Sequence, residues 1–282
     1  IVISRCIVVD SYKGKEMARF FSMLSVVQAI APILAPVAGG FLLSITDWKG
    51  IFVVLVGIEC VLFLILLPFK ESLPRSKRNT AKISHTFMSY PIVLKNRKFM
   101  LFTMVQAFAM GVMFAYIASS PFIFQNSYGL SPLAYSLCFG VNAVAVMFGN
   151  VLVGKFSTVE KALLAGTKLI TLTGVLIAFV LAFRLPFVIL EVSFIAFLVA
   201  LGILLPTSAT LAMGLERDNS GSASAVFGFM SFLVGGIASP LTGVGDMLYS
   251  TGIIIVICCF CIAYCARKAL KSPVYYKQQL SY

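Results

Sequence analysis

Apolar and polar residues segregate along this chain into long blocks. Eight predominantly apolar runs, near residues 20–45, 51–69, 99–124, 133–153, 162–183, 187–213, 222–244 and 250–266, are separated by short polar joints. A helix needs roughly 20 apolar residues to cross a hydrocarbon core of about 30 Å, and each run comes near that length. Helices and closed barrels are the only solutions there, because unpaired backbone groups in lipid are costly. The blocks therefore predict an all-α, multi-pass transmembrane helical bundle. Functional groups are then expected between helices.

Composition agrees with this class. The chain is 60% hydrophobic and 11% charged, with a mean hydropathy of +1.01, against about 25% charged residues in soluble domains. A net charge of +12 points to nucleic acid in many proteins, but its distribution here does not. With the joint at 70–98 placed in the cytoplasm, 20 of the 22 Lys and Arg fall inside and only Lys49 and Arg184 outside, as the positive-inside rule requires. The basic excess is a topology signal, and no nucleic-acid partner is expected. The reading predicts a plasma (inner) membrane location with both ends of the chain cytoplasmic. The short apolar start, residues 1–9, reads as the inner end of a helix whose outer part lies upstream, so a longer protein is expected.

Little points to catalysis. There is no phosphate-cradling glycine loop with Lys, no paired His, and the one histidine, His85, falls in a joint. The chain reads as no enzyme, without metal or cofactor. Cys258, Cys261 and Cys265 share a helical face, but free cysteines pack as small apolar residues and nothing beside them favours a metal. The joint at 70–98 carries Lys70, Arg75, Lys77, Arg78, Lys82, Lys95, Arg97 and Lys98 against Glu71 alone. It reads as a solvated inner loop, or one resting on anionic lipid.

An internal repeat is the most specific signal. Ala35-Pro36-Val37-Ala38-Gly39 returns 204 residues later as Ser239-Pro240-Leu241-Thr242-Gly243. Six spans lie within that offset, as in a protein of two parallel six-helix halves. Ala31, Ala35 and Gly39 lie four apart on one face, where small residues let a neighbouring backbone approach. Pro32 and Pro36 remove donors and bend the helix. Gly228, Gly235, Ser239 and Gly243 are expected to act likewise.

At these residues the sequence resembles the major facilitator superfamily, Ala31-Pro-Ile-Leu-Ala-Pro-Val-Ala-Gly39-Gly40 being similar to the antiporter motif of its fifth helix. More narrowly it resembles the bicyclomycin-resistance (Bcr/CflA) drug:proton antiporters. The resemblance is carried by residues 5–22, Asp47-Trp48, Ile51-Phe52, 119–132 and 221–236. It implies a partial major facilitator fold from the end of helix 4 through helix 12. The implied parts are 1–69 as the remainder of the N-terminal bundle, 70–98 as a basic cytoplasmic linker, 99–266 as the C-terminal six-helix bundle and 267–282 as a cytoplasmic tail. The implied activity is export of small amphipathic drugs or metabolites in exchange for protons, by a monomer in membrane lipid. Two positions depart from the family pattern: Ala31 and Ala35 replace motif glycines, and Val9 stands where an Arg is expected before Asp10.

Candidate site residues follow from polarity within the spans. Glu59, about 12 Å into its helix at 1.5 Å per residue, and Glu191, near the outer end of its own, are the proton-coupling candidates. Gln106, Met110 and Met113 recur with Thr103 on one stripe, and methionine repacks around varied ligands. Asn142 at mid-span, Phe229 as a stacking ring, and Thr207, beside Pro206 at an expected helix break, complete the substrate-binding set. Helix packing is the ordinary role of such residues, but the amides Gln106 and Asn142 need partners in lipid. The alternatives are a nutrient importer of the same fold and, from another class, a non-transporting membrane scaffold or receptor.

Overall fold

The structure, a computed structural model, describes residues 2–68 and 90–271, except for the side chains of residues 2, 28–41, 43 and 44. Its helices are α1 (Val2–Ser11), α2 (Gly14–Ile45), α3 (Trp48–Leu66), α4 (90–95), α5 (Arg97–Phe122), α6 (Pro132–Leu152), α7 (Val159–Ala182), α8 (Phe187–Leu215), α9 (Ser220–Leu241) and α10 (Met247–Lys271). No strand occurs among the described residues. Seven of these helices, α3 and α5 to α10, are long and apolar enough to cross a membrane. The expected first run, 20–45, lies within the 32-residue α2.

The joints carry the signals that stop and start helices. Asp47, Asn96, Ser131 and Thr158 each accept a hydrogen bond from the backbone N–H three residues on, at 3.0–3.2 Å, satisfying one of the four donors that a helix start leaves free. Pro132 opens α6, where its missing N–H costs nothing. Because the joints are short, successive helices run in opposite directions. One end of the bundle therefore gathers the Lys and Arg of the α1–α2, α6–α7 and α8–α9 joints and of the termini of α5 and α10. This is the basic end.

The helices α5 to α10 form one bundle: α5 packs on α8, α9 and α10, α7 on α8 and α10, and α6 on α8. α8 is the central element, buried almost all round from Leu198 to Met213, which is why its sequence has no polar face. The first helices close onto this bundle, α1 against α9 and α2 against α6 and α8. α3 behaves differently. It touches α2, has no buried residue, and exposes Val53, Leu62, Phe63 and Leu66 on all sides. Such a surface is tenable in lipid, not in water.

Pro206 was expected to break α8 beside Thr207, but the helix is continuous through both. A hydroxyl reinforces the helix here: Thr207 Oγ1 donates to the Ile203 carbonyl at 2.7 Å. A side-chain donor thus supports the turn that proline weakens.

The repeat also falls differently in its two copies. Residues 35–39 lie wholly inside α2, while 239–243 straddle the end of α9. The motif residues Ala31, Pro32, Ala35, Pro36, Gly39 and Gly40 have helical backbone, but their side-chain surroundings lie outside the described residues, as do most of the 70–98 joint and the tail beyond Lys271.

Candidate functional site

The stripe on α5 reaches a cavity between the first helices and the main bundle. Gln106, Met110 and Met113 line it, facing Arg5 of α1, Phe21, Leu24 and Ser25 of α2, Val146 of α6, and Leu205 and Ala209 of α8, around a volume of about 120 Å³. Most of the wall is apolar and two methionines are part of it. Gln106 is held in place: its Oε1 accepts from Ser208 Oγ at 2.6 Å. This orients its amide nitrogen away from α8. Thr207, one position along, is fully buried in its own helix's backbone bonding and does not line the cavity.

Arg5 is the residue that sequence reasoning missed. It sits in an apolar stretch, its guanidinium carbon 4.9 Å from the centre of the Phe227 ring, a cation–π contact that strengthens as water is excluded. Its Nη1 is buried without a hydrogen-bond partner among the described residues. A positive group with unused donors thus faces the cavity beside Gln106. The available signal was a lone cation within residues 1–9.

A second polar cluster lies nearer the end opposite the basic one. Asn142 Nδ2 donates to Tyr116 Oη at 3.0 Å and to Glu191 Oε1 and Oε2 at 3.1 and 3.3 Å. Three helices, α5, α6 and α8, therefore meet through one amide. Asn142 Oδ1 is buried with no partner among the described residues, leaving a spare acceptor beside a carboxyl group. The Tyr116 ring is held between Phe139 and Phe194, with centroids at 6.0 and 5.1 Å. Tyr116 follows Met113 by three positions on the α5 stripe and was within reach of the same periodicity. No cation pairs with Glu191 among the described residues, where the single ion pair is the exposed Arg184–Asp246 contact at 3.4 Å.

The cluster and the cavity adjoin. A water-sized space of about 30 Å³, lined by Met113, Tyr116, Asn142 and Val146 among others, shares Met113 and Val146 with the larger cavity.

The other candidates stand apart. Glu59 is exposed on α3, away from both clusters. Phe229 is 61% exposed and does not line the cavity; Phe227, two residues earlier, is the ring that faces inward. Gly235 packs against the Phe114 ring, where a Cβ would come to 2.5 Å. A Cβ on Gly228 would have Arg5 Nη1 as its neighbour at 3.7 Å, and Ser239, Pro240 and Gly243 mark the end of α9. The close backbone crossing occurs elsewhere, between Gly149 of α6 and Gly202 of α8. A Cβ on either would lie 2.9 or 3.0 Å from the other's Cα.

At the basic end the first helices are tied to the main bundle. Arg217 Nη2 donates to the Tyr12 carbonyl at 2.6 Å and approaches Met17 Sδ at 3.7 Å, tying the α8–α9 turn to the α1–α2 turn. Val9, Met17 and Phe21 are buried beneath this contact. Glu216 accepts from Asn96 and Asn219 on the same surface.

Two helix groups thus close on a cavity with apolar walls and polar anchors. Residues 1–240 match the family model of the Major Facilitator Superfamily, and the chain belongs to that family, whose matched relatives are transporters and not enzymes. It is 37% identical over 253 residues to the uncharacterized MFS-type transporter YdgK of Bacillus subtilis (strain 168), covering 87% of this chain and 63% of that protein. It is 23% identical to a bicyclomycin resistance protein homolog of Haemophilus influenzae, over 96% of this chain and 71% of that one. It is 28% identical to the multidrug transporter MdfA of Edwardsiella piscicida, over 52% of this chain and 35% of that one. The chain thus spans less than two thirds of YdgK's length. Among solved structures, the E. coli fucose:proton symporter FucP (N162A) superposes with a TM-score of 0.70 at 15% identity, over 96% of this chain and 73% of that one, which shows the fold alone.

Proposed function

We propose that the protein exports small amphipathic compounds across the inner membrane in exchange for protons, as a monomer working by alternating access. The basic end faces the cytoplasm in this reading. The observation that carries it is the adjacency of a methionine-walled cavity to a carboxyl group whose partners are neutral. Methionine and apolar walls accept varied shapes, while Gln106 and Arg5 supply polar anchors. Beside them, Glu191 takes up and releases the proton. As a carboxylate it accepts from Asn142 Nδ2; once protonated it becomes a donor, and the spare Asn142 Oδ1 is the acceptor within reach if the amide turns. That turn reverses the bond to Tyr116 on α5, whose hydroxyl then donates to Oδ1. Proton uptake then changes how α5, α6 and α8 are joined. The relatives named for bicyclomycin resistance and multidrug transport support the export direction.

The test uses the intact protein in proteoliposomes with an imposed pH gradient. Addition of a lipophilic dye of the kind that multidrug exporters carry should release protons in wild type and not in Glu191→Gln, while dye binding persists. Glu59→Gln should behave as wild type. Proton-coupled exchange surviving in Glu191→Gln would remove the acid from the mechanism, and uptake of a sugar or amino acid with protons would reverse the direction.

A further inference from the structure

The cavity beside α5 is polar toward the basic end and apolar away from it. Counted from that end, Arg5 lies six residues along α1 and Gln106 nine along α5. Met113 follows Gln106 by seven residues, about 10 Å farther in at 1.5 Å per residue. What the polar end presents is of one kind. Gln106 is 5% exposed, and its Oε1 is taken by the Ser208 hydroxyl at 2.6 Å, so the amide meets the cavity with its Nε2 donors. A guanidinium has only donors to offer. Arg5 Nη1 is buried with no hydrogen-bond partner among the described residues, and the Phe227 ring, 4.9 Å away, holds the group in place.

The complement to these donors is an acidic group. The described helices around the cavity carry acidic residues only at Asp10 and Glu16, both exposed toward the basic end, and at Glu191, which is bonded to Asn142 in the second cluster. Beyond the donors the walls are Met110, Met113, Phe21, Leu24 and Leu205. Their space of about 120 Å³ is close to the roughly 150 Å³ that takes up one benzene ring in an apolar core. Methionine sulfur also favours contact with aromatic rings. A ring with an acidic head therefore matches both ends of the cavity, and its bulk presses on the two methionines.

We propose that the passenger is an amphipathic organic anion, an aromatic carboxylate or sulfonate in class, with its head on Arg5 and Gln106 Nε2 and its ring toward Met110 and Met113. This passenger class presupposes the export reading above and narrows it. The guanidinium fork matches the paired oxygens of an acidic head, and hydrogen bonds between ionised partners are about twice as strong as neutral ones. An amphipathic cation of the same shape meets like charge at Arg5.

The experiment uses the intact protein in proteoliposomes with three single-ring probes of similar size: toluenesulfonate, neutral toluenesulfonamide and cationic phenyltrimethylammonium. The sulfonate stays ionised, so it carries no protons across lipid by itself. Proton release by wild type should be half-maximal at about tenfold less sulfonate than sulfonamide, the difference between a charged and a neutral hydrogen bond. The ammonium should be weakest. Arg5→Gln should bring sulfonate and sulfonamide level. Arg19→Gln removes an exposed cation of α2 that does not line the cavity, and it should keep the wild-type order. That order is read on wild type, so it tests the passenger class even where Arg5→Gln fails to fold. Equal potency of sulfonate and sulfonamide in wild type, first place for the ammonium, or a preference that survives in Arg5→Gln would overturn the anion class and leave export standing. Proton release by none of the three probes nor by the lipophilic dye would overturn export, and the anion class with it.

Discussion

Replacing Gly149 or Gly202 by alanine tests whether the α6–α8 crossing sets the geometry of the proposed proton site. A Cβ on Gly149 would meet the Gly202 Cα at 2.9 Å and overlap the Val199 carbonyl oxygen; a Cβ on Gly202 would meet the Gly149 Cα at 3.0 Å and overlap that of Val146. Every obstacle is backbone, so no rotamer can relieve the clash, and the helices must part by roughly 1 Å to recover ordinary contact. The bonds from Asn142 on α6 to Glu191 on α8 are 3.1 and 3.3 Å long. That displacement stretches both beyond hydrogen-bonding range. Overpacking costs about 1–3 kcal/mol, and leaving the carboxyl group's donor unmet costs about 1–3 more. Melting of the intact protein can be followed with a thiol-reactive dye, since Cys258, Cys259 and Cys265 are buried until the bundle opens. Either variant should melt several degrees lower and lose proton-coupled exchange. The double variant should cost less than the sum, because one separation relieves both clashes. Gly140→Ala, on α6 with nothing within 4 Å of its Cβ, should match wild type or gain slightly. Wild-type melting and exchange in Gly202→Ala would refute the reasoning.

Other expectations follow from single contacts. Asn142→Ala should lower stability by about 1–3 kcal/mol and abolish proton coupling, since Tyr116 and Glu191 lose their shared donor; unchanged coupling in flux assays would show that the amide is only packing. Arg217→Ala removes a charge-assisted bond to the Tyr12 carbonyl worth about 1.5–3 kcal/mol. It should raise the labelling rate of a cysteine introduced at Ser25 by reagents applied at the basic end, and an unchanged rate would mean that the contact does not hold the end shut. Arg5→Lys should bind compounds bearing a hydrogen-bond acceptor more weakly than wild type, and Arg5→Ala more weakly still, because the ammonium keeps the charge but loses the planar stacking on Phe227; binding titrations that rank the two variants equally would mean the charge is not used.

The bundle and its membrane class were legible because apolar run length depends on the chain alone. The Gln106, Met110 and Met113 stripe was legible for a similar reason: residues three and four apart share a face whatever they pack against. Which face turns inward was harder to read. Phe229 and Phe227 differ by two positions, about 200° around a helix, and only the packing of α1 on α9 turns Phe227 to the inside. The helix break expected at Pro206 does not occur, and Thr207, weighed as a ligand anchor, spends its proton on the preceding turn instead. The Gly149–Gly202 crossing was not legible at all. Each glycine is ordinary within its own helix, and the constraint exists only once α6 and α8 are brought together.

If the protein exchanges a passenger for protons as proposed, the adjacency of the two clusters narrows how the two influence each other. A space of about 30 Å³ beside Tyr116 and Asn142 holds one or two waters and excludes any drug-sized compound. Direct contact between passenger and acid is therefore not the route in this conformation. The cavity of about 120 Å³ is also smaller than the roughly 300–1,000 Å³ of ordinary ligand pockets, so an occupant must displace its walls. Met113 and Val146 are walls of both spaces. Met113 lies less than one turn from Tyr116 on α5, and Val146 about one turn from Asn142 on α6. Pushing either side chain outward presses on the helices that carry the acid's two partners, and bringing those partners back together squeezes the cavity. Competition of this kind is what exchange requires, since an exchanger in which passenger and proton settle comfortably together would carry both the same way.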